Sequence, residues 1–184
     1  GILVHETWFF RDAAVWGEIA AIGRAATAPL RVLSAPCATG PEAWSVAMTL
    51  ADAGLGAGAF DVLGVDVGEG AIATARAAGY GPSAFLGEHR AVEDQWLVRE
   101  RELAWIRHPL SAAVRFRTAN LVAPGALAHE APFDVILCRN FLVYLTADAR
   151  AAVERLLDRL LAPGGALFLG AGELPTSAAF VREG

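Results

Sequence analysis

Cysteine is scarce in this chain: Cys37 and Cys138 are the only two among 184 residues. Two thiols cannot form the disulfide framework of a small secreted domain, and these two lack the paired spacing of a zinc site. His5, His89, His108 and His129 are scattered, without metal-ligand spacing, and read as solvated or hydrogen-bonded side chains. No apolar stretch approaches the roughly 18 residues of a membrane span, and nothing is laid out like a signal peptide. Basic residues are not in excess. The formal net charge of −5 is opposite in sign to the basic stripe of a general nucleic-acid binder. Internal repeats and low-complexity tracts are also missing. What is present is 55% apolar and 19% charged residues, a composition able to bury a sizeable core. The length suits one α/β domain. The expectation is a cytoplasmic protein with no membrane insertion and no nucleic-acid partner. Its ends, "GILVHETWFFRD" and "AAFVREG", break into the pattern midway, so a piece of a longer chain is expected.

Hydrophobic runs alternate with helical patterns. Phe9, Ala13, Trp16, Ala20 and Gly23 recur at helical spacing, predicting an amphipathic helix over Trp8–Ala26 with Trp8 and Trp16 as core residues. Leu30–Cys37 reads as a strand, Glu42–Ala53 as a helix, Ala59–Val67 as a second strand, and residues 68–80 as a helix stopping at Gly79. Such alternation implies crossover units and a doubly wound parallel sheet, a Rossmann-like α/β fold. Residues 80–110 break the pattern and are too long for an ordinary connection. They predict a small inserted subdomain of short antiparallel strands with Trp96 and Trp105 as its core. Alternation resumes with strands in "AVRFRTANL" and "FDVILCRN", a helix in "TADARAAVERLLDRLLA", a "PGG" turn and a strand in "GALFLGAGE".

Four strand ends carry small or polar residues: "SAPCATGPE", "GVDVGEG", "TANL" and "CRN". In a doubly wound sheet these ends share one edge, and ligands bind there. The first turn, with Ala35, Ala38, Thr39 and Gly40, lets a backbone approach a ligand closely. It lacks G-x-G-x-x-G, and no G-x-x-x-x-G-K-[ST] occurs, so a pyrophosphate cradle is poorly supported. Asp66 stands where a Rossmann-type fold places the acid that accepts ribose hydroxyls; as a bland alternative it caps the next helix. An acid after strand two without a phosphate cradle suggests a nucleoside ligand such as S-adenosylmethionine. Glu42 either pairs with that ligand's positive charge or offsets a helix dipole. Arg139 and Asn140 leave the core at the same edge, either to meet the ligand or to cap a helix. The Arg99, Arg101 and Arg107 cluster is either a solvated face or a docking patch.

The segments "HETWFFRD", "SAPCATGPEAWSVAMTLAD", "GVDV", "TANL", "FDVILCRNFLVYL" and "LAPGGALFLGAGE" follow the order found in the CheR family, which the chain resembles over nearly its whole length. Those are S-adenosylmethionine-dependent methyltransferases that esterify glutamates on bacterial chemoreceptors. The resemblance implies a class I methyltransferase domain over residues 1–184 with the inserted subdomain near 80–110, and without the family's N-terminal helical domain. It places Thr7, Arg11, Glu42, Asp66, Asn120, Leu121, Arg139 and Asn140 on cofactor-contacting positions and Tyr144 near the transferred methyl. His5 replaces the family's asparagine, and Pro41 replaces the first acid of its T-G-E-E turn. Ala35 belongs to the same cofactor turn. The product would be S-adenosylhomocysteine and the partner a chemoreceptor's cytoplasmic region.

Methyl transfer to a carboxylate already ionised at neutral pH requires no general base. The protein must align the reactants and keep bulk water out. Arg11 is the candidate for holding the substrate carboxylate, because a guanidinium grips carboxylates in bidentate fashion. Tyr144 either completes that orientation or sits at the core's rim with its hydroxyl in water. Two further readings stay open: a methyltransferase for another carboxylate, and a signalling module that binds S-adenosylmethionine or S-adenosylhomocysteine with little or no turnover.

Overall fold

The computed structural model describes residues 7–56, 58–86 and 89–176, the side chain of Arg90 excepted. Five parallel strands form the main sheet: β1 (Leu30–Ser34), β2 (Phe60–Asp66), β6 (Val114–Thr118), β7 (Phe133–Cys138) and β8 (Leu161–Leu169). Their order is β6-β2-β1-β7-β8, with every neighbouring pair parallel. The order reverses at β1, so its tip and that of β7 flank the switch point where an open α/β sheet leaves a crevice.

Successive side chains of a strand point to opposite faces, and both faces here are buried. Val32, Val62, Val135 and Leu137 join the layer carrying Trp16, Ile19, Trp44 and Ile72. Leu33, Leu63, Ile136 and Cys138 join Val153, Leu156, Leu157 and Leu160 on the other side. Helices α1 (Ala14–Ala25), α2 (Pro41–Asp52) and α3 (Glu69–Ala77) thus cover one face, and α6 (Ala147–Leu160) covers the other. Each fully buried leucine or isoleucine contributes roughly 1.5–3 kcal/mol. The free thiols of Cys37 and Cys138 fall in different layers, and burial pushes both up from their ordinary range. They are inert packing groups.

The amino-terminal ends of the strands are pinned by charge. Arg31 reaches Glu130 at 3.0 Å and the Pro132 carbonyl at 2.8 Å. Arg115 pairs with Asp61 at 3.0 Å, and Arg115 and Arg117 both reach Glu130.

Three expectations are corrected. The first helix does not begin at Trp8. Phe10 and Asp12 have positive φ angles of 56° and 60°, and the preceding backbone donors serve tertiary partners: Phe9 N–H bonds Ala84 O and Phe10 N–H bonds Ser45 Oγ. Phe9 is still buried, stacked on Phe85 and edge-on to Tyr80. The second correction concerns residues 80–110. A small antiparallel sheet forms from β3 (Gly79–Tyr80), β4 (Leu97–Glu100) and β5 (Leu103–Ile106), with α4 (Arg90–Trp96) before β4 and the short α5 (His108–Ser111) after β5. Trp105 is not its core, being 38% exposed, because β5 alternates and turns Ala104 inward while Leu103 and Trp105 face out; the Trp105 ring lies over Gly79, where a Cβ would come within 2.6 Å of it. Tyr80, Ala84, Leu97 and Ala104 are the buried residues, and Trp96 is only partly buried. Finally, β8 extends through "PGG": the register jumps from Phe133↔Leu161 to Val135↔Ala166, so residues 162–165 bulge between them opposite Asp134.

Candidate active site

The carboxyl ends of β1, β2, β6 and β7 do share one edge of the sheet, and the loops leaving them carry the polar residues. After β1 the chain turns through Ala38 (φ 48°) and Gly40 (φ 98°) into α2. Gly40 is required there, since a Cβ would lie 2.8 Å from the Ala75 Cβ. The turn is fixed from two sides. Tyr80 Oη donates to Thr39 O at 2.8 Å, and Ala38 N–H donates to Asp66 Oδ2 at 2.9 Å. Asp66 is buried, and its other oxygen accepts the Gly68 amide at 2.9 Å at the start of α3. Gly68 is itself the N-cap residue and α3 has no side-chain cap, so Asp66 ties the two loops together and caps no helical amide; its oxygens each retain a lone pair. Ala35 is fully buried, with its N–H on Leu137 O; it supports the turn and does not project from it.

Glu42 is no surface charge at a helix end. Its side chain is 14% exposed, Oε1 accepts from Ser34 Oγ at 2.7 Å, and Oε2 accepts from Arg139 Nη1 at 3.1 Å. Burial pushes its carboxyl above the ordinary range, against the pull of Arg139, Ser34 and the nearby Arg11 charge. Arg139 is buried as well and also bonds the Asp12 carboxylate and the Arg11 carbonyl. Among the described residues its Nε–H is buried with no acceptor, a costly state for a charged donor. Anion donor and anion thus lie side by side.

Arg11 stacks its guanidinium 4.5 Å above the Trp8 ring, and its charge reaches Glu42. Thr7 is half-buried beside this turn; His5 lies outside the described residues. Asn120 is exposed, its Oδ1 accepting the Val122 amide at 3.0 Å, while Leu121 is buried. Asn140 has a positive φ of 54°. Tyr144 ends a single 3-10 turn, Leu142–Tyr144, and is 74% exposed, which makes it a rim residue. Among the described residues, no cluster of three or more His, Cys, Asp or Glu could hold a metal.

Two participants escaped the sequence reading. Asp12 sits in the quoted "FFRD", but only a non-helical turn could aim it at Arg139. Glu173 accepts backbone amides from Asn140, Phe141, Val143 and Gly170; the one available signal was an acid closing "GAGE" after an apolar strand.

Comparison with known proteins agrees with this architecture. Residues 5–179 match the family described as CheR methyltransferase, SAM binding domain. The probable biofilm formation methyltransferase WspC of Pseudomonas aeruginosa is 38% identical over 182 residues, covering 94% of this chain and 42% of that protein. The chemotaxis protein methyltransferase of Salmonella typhimurium is 33% identical over 186 residues, covering 94% and 61%. The chain therefore spans about two-fifths to three-fifths of these relatives' length. Among solved structures, the SAM-dependent methyltransferase from Agrobacterium tumefaciens superposes with a TM-score of 0.51 at 17% identity, covering 92% of this chain and 45% of that one. The [4+2]-cyclase SpnF also gives 0.51 at 17% identity, covering 91% and 50%. At that identity these two share the fold alone. Among the described residues, no helix is long and apolar enough to cross a membrane. This chain belongs to the CheR methyltransferase family, of which it is the S-adenosylmethionine-binding domain.

Proposed function

We propose that this domain binds S-adenosylmethionine across the tips of β1, β2 and β7 and directs its methyl group to glutamate side chains in the cytoplasmic region of a chemoreceptor. One observation carries the reading: the Glu42 carboxylate, 14% exposed, stands at the tips of β1 and β7 between Ser34 Oγ and Arg139 Nη1. An amino-acid head group is a zwitterion, and this pair sets an acceptor for its ammonium beside a guanidinium charge for its carboxylate. Asp66 keeps lone pairs for a ribose diol at the end of β2, and Asn120, Leu121 and Asn140 stand on the neighbouring tips. His5, Thr7 and Arg11 complete the proposed set from the N-terminal side. These residues fit the cofactor.

When bound, S-adenosylmethionine supplies an electrophilic methyl carbon on a sulfonium leaving group. The chain's own residues then position rather than titrate. Glu42 and Arg139 are committed to each other and to the head group. Arg11 holds the incoming carboxylate without fully neutralising it, since a grip stronger in the ground state than in the transition state would slow the reaction. Trp8 keeps the Arg11 guanidinium stacked and partly desolvated. Tyr144, on the rim, meets the substrate as it docks. Residues 1–184 then act as one methyltransferase unit with the 80–110 segment inserted, on the cytoplasmic side where the receptor's glutamates lie.

Transfer of tritiated methyl from S-adenosylmethionine to receptor peptides containing glutamate tests this. Base-labile label should appear in the peptide. Arg11→Ala should abolish transfer while leaving cofactor affinity within about fivefold, and unchanged turnover would remove Arg11 from the mechanism. Binding without transfer to any receptor glutamate would mark the domain as a sensor.

A further inference from the structure

Beyond Cys138 the chain must leave the sheet and still present Asn140 and Tyr144 in fixed places. Its backbone conformation there is costly: Asn140 is left-handed, and the Leu142–Tyr144 turn leaves the preceding amides without a ladder partner. One side chain takes them. Glu173 Oε2 accepts from Asn140 N at 2.8 Å and from Gly170 N at 2.8 Å, while Oε1 accepts from Phe141 N at 2.8 Å and Val143 N at 3.3 Å. Glu173 is buried at 6% exposure, and hydrogen bonds to an ionised acceptor are about twice as strong as neutral ones.

The surroundings are shaped to this contact. At Gly170 a Cβ would lie 2.7 Å from both Asn140 N and Glu173 Oε2, so only glycine lets the two segments meet. The segment after Glu173 is anchored in turn. Glu154 accepts from the Thr176 amide at 3.1 Å and from Arg150 Nε at 3.0 Å, and Arg150 also donates to the Leu174 carbonyl.

Resting on the reading of residues 139–144 as the cofactor and substrate loop, we propose that Glu173 is a positioning residue for methyl transfer: its buried carboxylate sets the loop backbone that presents Asn140 to the cofactor and Tyr144 to the substrate. It touches neither ligand. Its action runs through four amides that only an anion with two free oxygens can satisfy together. A glutamine fills the same space, but its NH2 then faces two N–H donors.

Amide hydrogen exchange on the cofactor-free protein, paired with S-adenosylhomocysteine titration and methyl-transfer kinetics, tests this. In wild type the Asn140, Phe141 and Val143 amides should be protected although they lie in a loop. Glu173→Gln should speed their exchange at least tenfold, leave the Leu33 and Ile136 amides unchanged, and lower cofactor affinity and kcat about tenfold each. Glu173→Asp, one methylene short, should restore the charge but only part of the protection. Loop amides already exchanging freely in wild type would overturn the proposal, and that result needs no variant to fold. Equal loss of protection in loop and core, or a Glu173→Gln protein within twofold of wild type, would overturn it too. A wild type that binds no S-adenosylhomocysteine yet shows the protected loop would instead sink the functional reading on which the positioning role rests.

Discussion

Both ends of the parallel sheet place arginine among carboxylates, and the two clusters use their donors differently. At the amino ends, Arg31 and Arg115 converge on Glu130, with Arg117 reaching it from further along β6 and Arg115 also pairing with Asp61; Arg115 is 44% exposed, and Arg31 also caps the carbonyls of Ala131 and Pro132. At the carboxyl ends, Arg139 is buried among Glu42, Asp12 and the Arg11 carbonyl, and among the described residues one of its N–H groups has no acceptor. The first arrangement is a solvent-exposed staple that pins the loop before β7 to the sheet. The second is taken out of water, where desolvating a guanidinium is expensive even when it is paired.

This contrast can be broken most sharply at Arg139. Arg139→Ala strands the buried Glu42 carboxylate and should cost about 3–5 kcal/mol in urea unfolding, as loss of one partner of a buried pair does. Arg139→Met combined with Glu42→Gln should recover most of that stability without recovering cofactor affinity. Recovery of both would reduce the tip cluster to another staple.

Acid separates the two ends by a smaller effect. The Glu42 carboxyl is raised, chiefly by burial, so it takes up a proton above the ordinary carboxylate range and ceases to be an acceptor for an ammonium. Glu130 is also pushed up by burial, but Arg115, Arg117 and Arg31 outweigh this and hold it below its usual value. Arg150 and Thr176 likewise hold Glu154 down against burial. The stability these lowered groups contribute is present above the unfolded-state value and is lost only as pH falls through their depressed folded values. Affinity for S-adenosylhomocysteine should therefore decline at higher pH than the melting temperature does. Calorimetry and thermal melts over the same pH series check this, and a coincident decline would contradict it. The smallest effect belongs to the staple: Arg115→Ala should cost under about 1 kcal/mol, as exposed pairs do, with cofactor affinity unchanged.

The main sheet was legible because β1, β2 and β7 are apolar runs buried on both faces, and the polar residues at their tips marked the shared edge. The N-terminal turn was not. Phe9, Ala13 and Trp16 keep helical spacing, yet Phe9 is drawn out of any helix by Phe85, Tyr80 and the Ala84 carbonyl, partners more than 70 residues away in the chain. That displacement is what brings Asp12 to Arg139. Glu173 was illegible as a site residue for a related reason: its partners lie some 30 residues upstream, and only the close approach at Gly170 reveals the contact. Trp105 looked like core because tryptophan usually is, but the alternation of β5 gives the inward position to Ala104.

Titration calorimetry with S-adenosylhomocysteine on wild type, the Arg139→Met/Glu42→Gln double variant and Arg115→Ala measures the central claim directly. The account predicts one saturable site in wild type and Arg115→Ala and its loss in the folded double variant. Equal binding by all three proteins, or none by wild type, would contradict it.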